Sequence, residues 1–510
     1  MKIKYSILKT VTLVILQCFS FVAIAQNFNR PVPDGFYPYE FSLRDSSFED
    51  YFTTGTLPLQ NNGDSDYYIS IHDENGYLIW YSTSKTSMID FKYFPEQNKY
   101  SYSTQTFPES KGFKILDADF NLIDSLGGAN NLNMDIHDFE LLDNGGYLVS
   151  ARADDLVDLS RDTLNGSLGS DSTYIRGYVI QEMDSQKNLL FEWNSNDFID
   201  PLESYEKDFG YNPADFDYCH GNAIEKDKNG DYLVSMRHTN SIFKVDKISG
   251  KIIWRLGGKK SDFSFPNDQG FSGQHDIREL PNGNVTLFDN ANTSVDKKSR
   301  AVDYQLDTNT WAATKIWEYQ YDSGFFARAM GNFQTSSLGF KVVNYGLVYR
   351  PFPSFVLLGD ADQLIADVYF QDSIAAYRTK IFKPKTPIER TKVECQNNNG
   401  TITLIASGGG QYAWSTGETT SQIQINKAGE YQVWTSKGIG MLGSEPIIIN
   451  DVSTYCMTDG FDKYGVSENK ELIQILDMNG NQIETPSVPG IYIKRFSNGS
   501  VEKVYLNPIY

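Results

Sequence analysis

The sequence predicts an all-β protein of several domains. Three observations carry this reading: a hairpin phrase that recurs three times, a second phrase ending in tryptophan that interleaves with it, and a composition rich in Tyr, Phe and Gly. The chain has 510 residues, is 40% hydrophobic and 14% aromatic, and contains 40 glycines. Aromatic side chains suit pleated, half-buried surfaces, and glycine suits the turns between them. A chain this long exceeds the size at which one core stops growing, so more than one domain is expected. The formal net charge of −20 argues against nucleic acid and anionic membranes as partners.

Taken in order, residues 1–25 read as a secretory signal peptide. Lys2, Lys4 and Lys9 precede the apolar run Val11–Val22, and Ala23-Ile24-Ala25 supplies small residues for cleavage. That order of charged, apolar and small segments is the export pattern. No other long apolar run exists, so no membrane-spanning segment is expected in the mature chain.

From 26 to 385 the pattern is short strands and turns. Three stretches open on a histidine, run as a strand, turn at Asn-Gly and return as a second strand. They start at His137, His220 and His275, and their return strands end at Arg152, Arg237 and Asn290. From His to the turn Asn is 7, 9 and 7 positions (137 to 144, 220 to 229, 275 to 282). Asn-Gly between alternating runs is the strongest short hairpin signal, and a type I′ turn is expected there. The second phrase joins an aspartate, a turn and an apolar run to a tryptophan. Trp193, Trp254 and Trp317 follow one another at 61 and 63 positions. Two hairpins in roughly 50–60 residues is the size of a β-propeller blade with its loops. Six such units fit, so a six-bladed β-propeller is predicted, with the tryptophans in the blade core.

A Lys/Pro stretch after Phe382 reads as a linker. Short alternating strands over 390–457 suggest a small immunoglobulin-like β-sandwich, and 458–510 suggest a further small β-domain. Cys395 and Cys456 flank the first of these and are candidates for a disulfide in an oxidising compartment. Cys219 is then left over, and is read as a buried structural thiol.

In a propeller the first strand of each blade lines the central channel. His137, His220 and His275 should therefore converge near the axis, with Arg152, Arg237 and Asn290 close by. Arginine offers a fixed charge and a fork of donors, and histidine can donate, accept or attack, so the cluster is a candidate anion site. His72 lies outside the hairpin position and is expected to pack in a blade. His238 follows Arg237 on a strand and is expected to face the other way. Asn344 is expected to be the next blade's counterpart of Asn290. The spacing of Cys and His suits no metal site, and Gly257-Gly258 reads as a turn.

The run Cys219-His-Gly-Asn222, Asp231–Arg237, Ile252–Gly258, Gln274-His-Asp276 and Leu287-Phe-Asp-Asn290 resembles the bacterial arylsulfotransferases over roughly 35–385. The resemblance implies a secreted enzyme that moves a sulfuryl group from a phenolic sulfate to a phenol, without a nucleotide donor or cofactor. It implies a sulfohistidine intermediate and ping-pong kinetics. It matches His275 to the nucleophile, His220 and Arg237 to sulfate-binding groups and His137 to the remaining site histidine. Arg152 and Asn290 are expected to contact substrate. The tail, with Leu476-Asp-Met-Asn-Gly-Asn481 and Pro489-Gly-Ile-Tyr-Ile493, resembles type IX secretion sorting domains, which implies secretion machinery as a partner. Two other functions fit the same scaffold: a non-catalytic binding or adhesion propeller, and an aryl-sulfate hydrolase. No Cys/Ser-x-Pro-x-Arg sulfatase motif supports the latter.

Overall fold

A computed structural model of the chain describes residues 26–452 apart from 60–64, 106–110, 165–166, 207–215, 323, 372 and 399–400, together with Cys456 and the strands 472–476, 482–483, 490–496 and 501–506. The expected leader, 1–25, and the tail positions 477–481 and 489 lie outside these residues. Among the described residues the helical elements are three single 3-10 turns, and the rest of the regular structure is strand.

Among the described residues, six antiparallel sheets of four or more strands follow one another along the propeller segment, besides a two-stranded hairpin of Thr163–Leu164 and Ser167–Leu168. Blade 1 consists of Tyr51–Pro58, Tyr67–His72 and Leu78–Ser84, and its innermost strand is Ile374–Phe382, brought from the far end of the segment. That strand pairs Ile374 with Pro58 and Phe382 with Tyr51, which closes the ring. Blades 2 to 6 start from the inner strands Ser87–Phe94, Asn133–Leu141, Gly221–Lys226, His275–Glu279 and Asn332–Thr335. Each inner strand touches the inner strands on both sides, in one closed cycle. This is a β-propeller, as the two interleaved phrases predict.

The expected hairpins form at Asn144, Asn229 and Asn282, but their turns differ from the type I′ expectation. Only the glycine has positive φ, at Gly145 (80°), Gly230 (85°) and Gly283 (89°). Its amide donates three residues back, to the carbonyls of Leu142, Asp227 and Leu280. These are three-residue loops ending in a left-handed glycine, a geometry that keeps the asparagine right-handed. Trp193 and Trp254 are buried between blades, as expected, whereas Trp317 is half-buried and donates from Nε1 to Asp362 at 2.8 Å.

Neighbouring inner strands splay around the axis and cannot pair backbone to backbone. Side chains supply the missing partners. The Ile224 amide donates to Asp138 Oδ2 at 2.9 Å and the Lys226 amide to Glu140 Oε2 at 3.1 Å. Asn332 accepts from the Thr379 amide and donates to its carbonyl at 2.8 and 2.7 Å. A buried backbone group left unpaired is costly, which is why these channel positions are polar.

The outer edges of two blades are covered. Tyr39–Leu43 and then Gln26–Asn29 extend blade 6, and Gly440–Gly443, Val433–Lys437 and Tyr412–Trp414 extend blade 1. The segment 390–457, expected as one sandwich, thus divides. Residues 406–421 and 429–448 belong to the propeller unit, while 393–405 and 422–428 group with the residues from 449 onward. The reason is edge pairing: Met441 and Leu442 pair with Tyr81 and Trp80, giving the last strand of blade 1 a partner. The second unit holds the sheet Val393–Asn398, Thr401–Ala406 and Gln422–Ile425 and a four-stranded tail sheet. Its Cys395 and Cys456 are bridged, with Cα atoms 5.9 Å apart.

Candidate active site

Three inner strands break register at the same place: between Met134 and Phe139, between Gly221 and Ala223, and between His275 and Arg278. A bulge bends a strand and re-aims its side chains. Here His220, at φ 47°, and Asp276, at φ 58°, take left-handed backbone at the break. The histidines are turned to the channel mouth, and Asp138, Asn222 and Asp276 toward its interior.

His137 and His220 lie ring to ring, with centroids 5.1 Å apart. Each is held on Nδ1 by a carboxylate. Asp135 accepts from His137 Nδ1 and, on its other oxygen, from Arg152 Nε at 2.8 Å. Asp217 Oδ2 accepts from His220 Nδ1 at 2.7 Å. Burial alone would raise both carboxyls. His137 and Arg152 instead hold Asp135 well below the usual range, and His220, His238 and Arg152 do the same for Asp217. Both carboxylates stay ionised and accept from Nδ1–H, which leaves Nε2 of each histidine toward the site. The side chains of His137 and His220 are 16% and 26% exposed, so a solute reaches them.

His275 is different. It is buried, and its Nδ1 faces Asn290 Oδ1 at 2.7 Å and the Gly273 carbonyl at 3.0 Å. The Asn290 amide nitrogen donates to the carbonyls of Ala327 and Met330 at 2.7 and 3.0 Å, which fixes the side chain with its oxygen toward the imidazole. Nδ1 of His275 must therefore carry the proton, and Nε2 carries the lone pair. Nε2 accepts the Met330 amide at 3.3 Å. Burial, and then the Arg237 charge, hold the imidazole pKa well below 6.5, so the ring is neutral.

Arg237 donates from Nη2 to the Arg328 carbonyl at 3.1 Å and from Nη1 to His238 Nε2 at 2.7 Å. Arg237 and His275 thus bond to backbone groups two residues apart on one segment. The Nε–H of Arg237 is buried and has no hydrogen-bond partner, a donor ready for an anion.

The structure therefore gathers His137, His220, His275 and Arg237. Arg152 and Asn290 are there too. Arg152 bonds Asp135 through Nε and lines a hollow with Asp217 and His220, and Asn290 is completely buried with its hydrogen bonds spent on His275 and two carbonyls. Asn290 is thus in contact with His275 and closed to solvent. His238 corrects the opposite-face expectation. The strand ends at Met236 and a turn over 237–240 replaces its alternation, which swings His238 back to stack on His220 at 4.6 Å. Asp135 and Asp217 were not singled out in the sequence. Their spacing of two and three residues before a histidine, in an Asp-x-His and an Asp-x-x-His, was the available signal. His72 packs in blade 1 against Phe52. Asn344 is the counterpart of Asn290 and donates to the Ala376 and Tyr377 carbonyls at 3.0 and 3.1 Å. The buried Cys219 thiol is raised by burial, then by Asp217, and is no nucleophile. Asp217, His220 and His238 bring ligand atoms within 4.8 Å of one another, but both nitrogens of His238 are engaged and one faces a guanidinium, an arrangement that repels a cation.

Residues 114–348 match the model of the arylsulfotransferase (ASST) family. No curated protein matches the chain. Among solved structures, the chain is similar to a protein of unknown function from Bacteroides caccae, at 12% identity and TM-score 0.41, over 66% of this chain and 100% of that one. It is also similar to TolB from Acinetobacter baumannii, at 11% and 0.35, over 66% and 68%. A third is the periplasmic gluconolactonase PpgL of Pseudomonas aeruginosa, at 9% and 0.34, over 79% and 99%.

Proposed function

Residues 114–348 belong to the arylsulfotransferase family, and from that premise we propose that the propeller moves a sulfuryl group from a phenolic sulfate ester to a phenol through a sulfohistidine at His275. One observation carries the reading. A neutral imidazole, locked by Asn290 with its lone pair on Nε2, shares one backbone segment with an arginine whose buried Nε–H lacks a partner.

In the first half-reaction the Nε2 lone pair attacks sulfur and the bond from sulfur to the aryl oxygen breaks. The phenolate leaves with that electron pair and takes a proton from His137 or His220. The adduct keeps its Nδ1–H, which Asn290 Oδ1 accepts. In the second half-reaction the same histidine removes the proton of the incoming phenol. The phenol oxygen attacks sulfur, and the N–S pair returns to Nε2. Sulfuryl transfer resembles phosphoryl transfer, with charge spread over the peripheral oxygens. Arg237 faces that charge, and a donor so placed is typically worth about 3 kcal/mol.

Mass spectrometry of the protein after exposure to an aryl sulfate, without acceptor, tests the assignment. A sulfuryl label is expected on His275, with phenolate released in one burst and turnover resuming on addition of a phenol. Label on another residue, or no label in an active preparation, rejects it. Sustained turnover in water alone favours the hydrolase.

Export also belongs to this reading, on the order of charged, apolar and small residues over 1–25. The Cys395–Cys456 bridge supports an oxidising compartment, and the tail resembles a type IX sorting domain. Sequencing the N-terminus of protein recovered outside the cell should begin at Gln26; a retained leader counts against it.

A further inference from the structure

We propose that His238 is a positioning residue for sulfuryl transfer: it holds the Arg237 guanidinium in the orientation that leaves its Nε–H aimed at the group on His275. The inference rests on the arylsulfotransferase reading of the site.

The hydrogen-bond roles around His238 are determined by its neighbours. Its Nδ1 lies 2.6 Å from the Asp217 carbonyl oxygen, which can only accept, so Nδ1 carries the proton. Burial keeps the ring neutral, so Nε2 is bare and accepts from Arg237 Nη1 at 2.7 Å, with the Glu206 carboxylate, 3.3 Å from Nε2, drawn to the same guanidinium. A bare imidazole nitrogen is the side of histidine that a guanidinium can use. The ring is kept from swinging by its stack on His220, at 4.6 Å and 25° between planes. Asp217 indexes both rings at once: its carboxylate holds His220 and its carbonyl holds His238.

Arg237 is thereby gripped at two points, His238 on Nη1 and the Arg328 carbonyl on Nη2. A guanidinium held at both terminal nitrogens has no rotation left, and Nε is its one nitrogen without a hydrogen-bond partner. With His238 removed, only the Arg328 carbonyl is left, and Nη1 is free to seek water. The charge stays in the site, but its direction is lost. A donor must already point at the developing charge to lower a barrier.

The test is a double-mutant cycle on the full-length protein, read by phenolate release in the donor half-reaction. His238→Leu is expected to lower kcat/KM for the donor by about 10- to 100-fold, less than the roughly 100- to 1000-fold that loss of the donor itself costs, with His238→Gln, whose amide oxygen can accept from Nη1, recovering most of it. In an Arg237→Ala background, His238→Leu is expected to change the rate by less than about 2-fold, because its effect passes through the missing guanidinium. An undiminished effect in that background overturns the proposal, as does a Gln variant no better than Leu. Inorganic sulfate affinity, measured by calorimetry, gives a readout independent of transfer. His238→Leu should weaken it when Arg237 is present and leave it unchanged when Arg237 is absent; equal weakening in both backgrounds overturns the proposal. A wild-type protein that binds sulfate in this Arg237-dependent way but transfers no sulfuryl group would reject the enzymatic reading alone.

Discussion

The site histidines differ in what sits on Nδ1, and that difference sorts their work. A carboxylate that accepts from Nδ1 leaves Nε2 of His137 and His220 toward the site, where it can hand over and take back a proton. An amide oxygen gives the same orientation without the charge, which suits His275 to stay neutral and attack. Asn290→Asp tests this directly. The new carboxylate raises the His275 pKa, so the acid limb of the donor half-reaction should move to higher pH, and turnover at pH 6 should fall. Single-turnover phenolate release against pH measures it, with melting followed in parallel because the variant also faces the Ala327 and Met330 carbonyls. An acid limb at the wild-type position would refute the division of roles.

At the scale of strands, the bulges in the inner strands of blades 3, 4 and 5 do the positioning. A regular strand would send alternate side chains to opposite faces, whereas the break lets His275 and Asp276 serve the mouth and the channel from adjacent positions. The strand added to the edge of blade 1 has a different job. Trp434 is fully buried against Tyr81 and donates from Nε1 to the Leu78 carbonyl at 3.0 Å. Trp434→Ala should cost about 3–5 kcal/mol, seen as an earlier midpoint in urea. A change under about 1 kcal/mol would mean the added strand contributes little to the blade.

For the molecule as a whole, the axis is filled by charge. Arg378, on the strand that closes the ring, bonds from Nη1 to Asp90 and Asp138 at 2.8 and 3.2 Å, and from Nη2 to the Asn222 carbonyl at 2.7 Å. One side chain from blade 1 thus ties blades 2, 3 and 4. Lys380 and Arg278 secure Asp276 at 2.8 Å each. Arg378→Leu leaves Asp90 with Lys92 alone, Asp138 with Lys92 and Arg278, and one buried positive charge fewer against these carboxylates; it should destabilise by about 3 kcal/mol, measured by thermal unfolding, and a variant as stable as wild type would show that the plug is dispensable. Acid should open the same network. Burial alone would raise Asp276, but Arg278, Lys380 and Arg378 lower it from 3.8 to about 2. A depressed carboxyl contributes stability that is present above its unfolded pKa and lost as pH falls through the folded one. That is about 2.5 kcal/mol lost between roughly pH 5 and pH 2. Melting temperatures that stay flat over this interval would contradict it.

How much of this was legible in the chain follows from what is local. The blades were readable because a two-residue strand period and Asn-Gly turns are short-range, and repetition multiplied a weak signal. His137, His220, His275 and Arg237 were readable because a shared place in the repeat becomes a shared place in the ring. The hydrogen bonds of Asn290 and Arg152 were not, since the direction of an amide or guanidinium depends on partners that the alternation of a strand does not specify. For Asn290 these are carbonyls 37 and 40 residues away. His238 was misread because strand alternation was carried past the point where the strand ends. Arg378 drew no notice among 45 Lys and Arg, because its partners, 156, 240 and 288 residues distant, meet it only when the last strand closes the ring. Periodicity, in short, wrote the architecture and the identities of the side chains that meet at the channel mouth into the chain, while closure of the propeller set their hydrogen bonds, their aim and the charge that locks the axis.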